Sequence, residues 1–380
     1  MLVITLPMYR HFIKGDIKNT IENRQLTQRP KAPNSINDLG AYAAVLDKYF
    51  SDQFGYRKNF VDWANQIKYY VFKEFNSTQI SFGKNNFIFF NSHNAKHPNS
   101  LIKIVCDENK LNQKNADFIL NNISKLLKFY HNKGIIANMA IIPTKSRIYP
   151  ENLPEMESQW CLNNTPTWLD RNMLKFSEHQ VYYPLAQMQR WKNEFQVYLP
   201  KHFHWNGKTP YYIAEDMMKT LWNIDPVFDV EAQATVVKAD LKRFLSGLEL
   251  KEKSFKYDYQ SQDVKRCRGR NCIDGLNKVY KNIIAFHFTK ENFTNRRLLL
   301  LTDSFGAGIA EHFIRGFDEV TMIDLNYLKA EERTKFYQTI IKMKKPTHLL
   351  HLIHDSGTYN RAVKFKKLLT DLEPSEVKTN

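Results

Sequence analysis

Short apolar runs alternating with amphipathic helical patterns predict an α/β fold, a doubly wound sandwich around a mainly parallel sheet. Three observations carry this. Ile135 to Ile142, Leu298 to Leu301 and His348 to Ile353 are mostly apolar, as strands covered on both faces are. Between such runs, apolar residues recur at three- and four-residue steps, the helical period: Leu120, Ile123, Leu127 and Tyr130, then Phe336, Ile340 and Met343. Finally, Gly134, Pro143, Gly316 and Pro346 stand where those segments should stop. Strands alternating with helices in this way place ligands outside the carboxyl ends of the strands.

The first 20 residues read as a lead-in or the remnant of a membrane anchor. Met1-Leu-Val-Ile-Thr-Leu-Pro-Met8 is apolar, but eight residues do not cross a bilayer, which takes about 20. Residues 21–380 form the folded unit. Helix-like patterning runs from Leu39 to Phe72, after a linker holding Pro30 and Pro33. Gly83-Lys-Asn-Asn86 predicts a turn before the strand Phe87 to Phe90. The helix ending near Tyr130 is capped by Gly134, and the strand from Ile135 stops at Pro143. The Leu298–Leu301 run leads into Thr302-Asp303-Ser304, followed by a helix from Phe305 to about Ile314, a strand from Val320 to Ile323, a helix ended by Pro346 and a last strand from His348.

At 380 residues, with 43% hydrophobic content, the chain can bury a large core. A net charge of +16 suits anionic partners: nucleic acid, anionic lipid or an acidic polysaccharide. No zinc-finger spacing or aromatic RNA-binding signature accompanies the basic residues, which argues against nucleic acid. Cys267 and Cys272 are spaced to close a small disulfide loop in an oxidising compartment. Four unpaired thiols, with Cys106 and Cys161, suit the composition equally well.

Two segments carry residues suited to chemistry. In Leu298-Leu-Leu-Leu-Thr-Asp-Ser-Phe-Gly-Ala-Gly308, Ser304 sits where a buried strand meets a helix, so its hydroxyl reaches the sheet rim. Backbone donors near Ser304 and Phe305, with Gly306 beside them, are candidates to hold an oxyanion there, and an Asp-Ser helix cap without chemistry is the alternative. A serine hydroxyl needs a base. His204, within Tyr198-Leu-Pro-Lys-His-Phe-His-Trp-Asn-Gly207, is the candidate, flanked by Trp205 and Asn206. His202 and His204 together resemble a metal pair, but no third ligand is evident and no metal or cofactor is expected.

These segments resemble the SGNH-hydrolase-like proteins of bacterial exopolysaccharide acetylation, the alginate O-acetyltransferase group of AlgJ/AlgX type. The resemblance rests on six stretches in order: Glu22-Asn-Arg24 with Pro30, Phe50-Ser-Asp-Gln-Phe-Gly-Tyr-Arg57, Phe82-Gly-Lys-Asn-Asn-Phe-Ile-Phe-Phe90, Ile142-Pro-Thr-Lys-Ser-Arg-Ile-Tyr-Pro-Glu-Asn-Leu-Pro154, His204-Trp-Asn206 and Asp303-Ser-Phe305. It implies an SGNH-like sandwich with rearranged motif order, the histidine before the serine. It also implies a periplasmic protein anchored to the inner membrane, an acidic polysaccharide as substrate and a membrane-bound acyltransferase as acetyl donor. No C-terminal carbohydrate-binding module is expected after the last strand. Ser304 would be the nucleophile and His204 the base.

One departure bears on activity. The family's motif has aspartate two residues before the histidine, and this chain has His202. That acid orients the imidazole and stabilises its charged form. Three outcomes follow: a carboxylate from elsewhere, with Asp355 beyond the last strand as the candidate and His351 and His354 beside it; a Ser304–His204 dyad; or loss of catalysis with glycan binding retained. An acetyl-esterase transferring to water is the alternative enzyme.

Overall fold

The computed structural model describes residues 9, 13 and 26–372, except 34, 54–55, 75–78, 92–99, 107–112, 163–166, 173–174, 177–179, 241–243, 245, 274–275, 277–279, 281–282 and 292–293. The apolar stub at residues 1–8 and the Glu22-Asn-Arg24 stretch lie outside the described residues.

Helices α1 (Leu39–Gln53) and α2 (Arg57–Ile67) open the chain. The helical pattern predicted from Leu39 to Phe72 is interrupted rather than continuous, because Tyr56 takes a left-handed conformation with φ of 64° before α2. Strand β2 (Ile88–Phe90) follows the predicted turn and pairs with β1 (Ile80–Phe82), a strand not predicted, as a hairpin. Helix α3 (Gln113–His131) leads through Gly134, at φ of 74°, into β3 (Ile136–Ile142) and later β4 (Val181–Tyr182). Helix α4 (Lys208–Trp222) precedes a second hairpin, β5 (Ala232–Lys238) with β6 (Lys251–Tyr257). Strands β7 (Lys265–Arg268), β8 (Ile284–Thr289), β9 (Arg297–Thr302), β10 (Glu319–Asp324) and β11 (His348–His354) complete the strand set. Helix α5 (Gly306–Ile309) follows β9, α6 (Arg333–Lys344) follows β10 and α7 (Thr358–Leu372) follows β11.

The main sheet has the order β4-β3-β11-β9-β10-β8-β7. Its first five strands are mutually parallel, and β8 and β7 extend it antiparallel. This is the predicted doubly wound, mainly parallel α/β fold. Side chains alternate along β11, which displays both covered faces. His351 faces Tyr130 of α3, Tyr337 of α6 and Phe365 of α7. His348, on the opposite face, meets Trp222 of α4 and Phe317. The helix predicted from Phe305 to Ile314 begins as α5 and tightens into a 3₁₀ turn over Ala310–Arg315. That turn buries the Arg315 guanidinium against Glu215 and Asp229.

All four cysteines are paired, Cys106 with Cys161 and Cys267 with Cys272. The first closes a loop with a sequence separation of 55, which the chain-entropy model values at about 4 kcal/mol. No helix among the described residues is long and apolar enough to cross a membrane.

Three buried histidines bias the fold against acid, while the raised pKa of Asp324 acts the other way. Burial, with nearby arginines, holds His312 at about 3, His348 at about 4 and His351 at about 3. Unfolding restores each to about 6.5, so below that value the unfolded chain binds more protons than the folded one. Their contribution to stability is therefore intact at neutral pH and lost as pH falls from about 6.5 toward 4. Each unit of pH in that window costs about 1.4 kcal/mol per histidine. Both ring nitrogens of His351 are buried without a hydrogen-bond partner among the described residues. Thermal melts from pH 7 to pH 4 should show a steady fall in Tm. His351→Leu should raise the pH 7 value and flatten the slope.

Candidate active site

Parallel strands present their carboxyl ends on one rim, and β9 and β11 are neighbours there. β9 ends at Thr302, so Asp303 and Ser304 emerge on the rim, and the Asp303 amide still donates to the Leu352 carbonyl at 3.2 Å. Gly306 lets the chain turn back tightly: a Cβ there would lie 2.1 Å from Thr302 Cγ2. The turn leaves Ser304 exposed while Asp303 and Phe305 are buried.

The segment before α4 brings His204 to this rim. Gly207, at φ of 66°, ends the segment where a Cβ would press 3.0 Å from Ser254 Oγ. Lys145, in the first turn after β3, holds the other end. Its buried ammonium donates to the carbonyls of Ile88 (2.8 Å), Leu199 (2.9 Å), Pro200 (2.5 Å) and His202 (3.1 Å). Burial pushes its pKa well below the usual lysine value, partly offset by Glu252 and Asp240. The Trp205 indole N–H donates to the Phe305 carbonyl at 2.9 Å, fastening the histidine segment to the serine turn.

His204 Nε2 lies 2.9 Å from Ser304 Oγ, and its Nδ1 lies 2.9 Å from Asp240 Oδ2. Asp240 follows β5, and the same oxygen accepts the Phe203 and His204 amides at 3.1 and 3.3 Å. Burial opposes ionisation of Asp240, but His202 and His204 outweigh it and hold the carboxyl well below the usual carboxylate range. A carboxylate at Nδ1 requires the N–H there, which leaves Nε2 free to accept from the serine.

Asp355 does not occupy this position. At the end of β11, His354 contacts Asp303, which follows β9, whereas Asp355 contacts Thr144, which follows β3. Asp355 accepts the Thr144 amide at 3.0 Å and the Ser356 amide at 2.7 Å, and burial raises its pKa. His354 Nδ1 instead meets Asp303 Oδ2 at 2.6 Å. His354 also stacks on Phe305 at 5.5 Å, while His204 meets the same ring at 5.1 Å. Burial would depress the His354 pKa, but Asp303 raises it above the ordinary value. Asp303 in turn is lowered by His354 against its own burial. At the end of β10, burial and the nearby Asp303 push Asp324 up to about 6.

His202 is not in line with the serine. It is buried behind Asp240, with Nδ1 3.7 Å from Asp240 Oδ1 and Nε2 3.8 Å from Glu252 Oε2. Of the expected oxyanion donors, the Phe305 and Gly306 amides are otherwise engaged. The Phe305 amide donates to Asp303 Oδ1 at 2.9 Å and the Gly306 amide to the Asp303 carbonyl at 3.2 Å. Trp205 is buried, and the Asn206 side chain accepts from Ser254 Oγ at 2.5 Å. Phe305, Gly306 and Trp205 are buried beneath the site, while Asn206 is half-exposed. The Ser304 amide is the backbone donor at the hydroxyl without an acceptor among the described residues. No group of three or more His, Cys, Asp or Glu among the described residues is arranged to hold a metal ion.

Sequence reasoning missed Asp240. It lies 36 residues beyond His204, next to a hairpin whose alternation carries no chemical motif.

No protein-family model matches the sequence, and no curated protein matches it. The structure is similar to several solved structures. Bacillus cereus PatB1, solved with a sulfonyl adduct, is 16% identical, with a TM-score of 0.45 over 65% of this chain and 91% of that one. A DHHW family protein from Eubacterium siraeum DSM 15702 is also 16% identical, with a TM-score of 0.47 over 66% and 88%. The O-acetyltransferase domain of Pseudomonas putida AlgJ is 15% identical, with a TM-score of 0.42 over 76% and 98%. Likeness at this level carries no residue's role from those proteins to this one.

Proposed function

We propose that this chain is a serine O-acetyltransferase acting on a secreted or capsular polysaccharide. The observation that carries the reading is the hydrogen-bonded run from Ser304 Oγ to His204 to Asp240, with both links at 2.9 Å. Nucleophile, base and orienting acid stand within the reach that acyl transfer needs. The choice of acetyl and glycan rests on the six ordered sequence stretches and on a net charge of +16, which suits an acidic acceptor.

Ser304 Oγ attacks the acetyl carbonyl as its proton passes to His204 Nε2. Asp240 keeps the Nδ1 proton in place and stabilises the imidazolium. The Ser304 amide faces the developing oxyanion. Collapse expels the donor's leaving group, which takes the proton from Nε2, and acetyl remains as an ester on Ser304. A glycan hydroxyl then gives its proton to Nε2 and attacks the ester. Ser304 leaves and recovers that proton. A membrane-bound acyltransferase is the acetyl source in this reading. Two disulfides support an oxidising setting such as the periplasm, with an N-terminal segment as tether.

The exposure of Ser304 favours a second reading, an esterase that passes acetyl to water. One experiment tests both. After mixing with p-nitrophenyl acetate, peptide mass mapping should find acetyl on Ser304. An acidic polysaccharide should accelerate deacylation and become O-acetylated. Faster deacylation without acetylated sugar selects the esterase, and a chain never acetylated at Ser304 removes both readings.

A further inference from the structure

Beside the Ser304 rim, three cations converge between α6 and α7. Both helices leave the carboxyl end of the sheet, so Arg333 begins α6 and Arg361 lies in the first turn of α7, with Lys364 one turn later. Together with Leu325, which follows β10, and with Tyr337 and Phe365, they line a narrow pocket. Arg361 is only 8% exposed, yet neither it nor Arg333 or Lys364 has a hydrogen-bond or ion-pair partner among the described residues. Buried guanidinium groups are ordinarily paired, since desolvation without a partner costs several kcal/mol. Asp324 and Glu331 act on Arg361 and Arg333 electrostatically, without forming an ion pair. The carboxylate of Asp324 already accepts the Asn326 amide at 2.9 Å. Arg315, which is fully buried, has two carboxylates on it. Burial, with the two nearby arginines, also pulls Lys364 down to about 8.

We infer that Arg333, Arg361 and Lys364 form a binding pocket for one compact oxyanion, a carboxylate or phosphate group. The pocket is narrow, so only the charged oxygens of a ligand would enter it, with any sugar ring left outside. A bidentate guanidinium contact with a second cation alongside is the arrangement that recognises these groups. The anion site does not depend on the serine chemistry. Assigning its anion to an acceptor glycan does, since the carboxylate of an acidic sugar held here would anchor the chain beside Ser304.

Calorimetric titration of the full chain with sodium glucuronate, inorganic phosphate and glucose at low salt tests the pocket. It is repeated on Ser304→Ala, so that binding is read where acyl transfer is removed. One or both anions should bind wild type and Ser304→Ala alike, weaken with added salt, and lose about tenfold in affinity in Arg361→Met. Lys364→Met, at a half-buried position, should lose about threefold and serves as the probe if Arg361→Met folds poorly. Glucuronate binding identifies a sugar carboxylate as the ligand, and phosphate binding alone identifies a phosphate group. No binding of either anion, equal binding of glucose, or unchanged affinity in both folded variants would overturn the proposal.

Discussion

Asp240→Asn should lower turnover of p-nitrophenyl acetate by about 10³- to 10⁴-fold, the scale seen when a triad's orienting acid becomes an amide. Asp240 sits 2.9 Å from His204 Nδ1 and also accepts two backbone amides from the same segment. An asparagine turned to keep its oxygen on those amides retains the fold of the loop but loses the charge that stabilises the imidazolium. An asparagine turned the other way donates to Nδ1 and flips the tautomer, so that Nε2 carries a proton and no longer accepts from Ser304. Either result leaves the serine unactivated. Asp355→Asn is the matched control. Its carboxyl ties Thr144 to Ser356 and should affect Tm more than turnover. Equal turnover losses in the two variants would argue against Asp240 as the orienting acid.

Ser304→Ala should remove acyl transfer altogether, with a loss of about 10⁴-fold or more and no acetyl adduct. Stability should change little, because the Ser304 side chain is exposed and the turn is held by Asp303, Gly306 and Trp205. Removal of nucleophile and base together is not additive, since each acts only through the other. Ser304→Ala combined with His204→Ala should therefore be no slower than Ser304→Ala alone. A double variant markedly slower than the single one would mean that His204 supports a reaction without the serine.

Much of the frame was legible from local pattern. The strands from Ile136, Arg297, Glu319 and His348 agree with the apolar runs to within a residue or two, because both-face burial makes a strand apolar along its whole length. Gly134 and Pro346 marked their helix ends because left-handed backbone and a missing amide are properties of single residues. The order of the two motifs, histidine before serine, was also readable directly. The β5–β6 hairpin was not: its strands are largely exposed, so no apolar signature sets them apart.

The site divides along the same line. Ser304 at a strand-to-helix turn and His204 beside Trp205 are local features, and the sequence by itself determined both as candidates, along with the rim on which they belong. Their partners were decided only by tertiary structure. His204 meets a serine 100 residues away and an aspartate 36 residues away, and nothing in a one-dimensional pattern records which carboxylate a fold swings onto an imidazole. Asp355 lay on the right rim but on the wrong side of β11. The amides of Phe305 and Gly306 lay at the right turn but were already bonded to Asp303. Periodicity reports which residues are buried, because burial acts on each side chain separately. Hydrogen-bond partnership depends on angles and distances between chain segments, which exist only once the sheet has assembled.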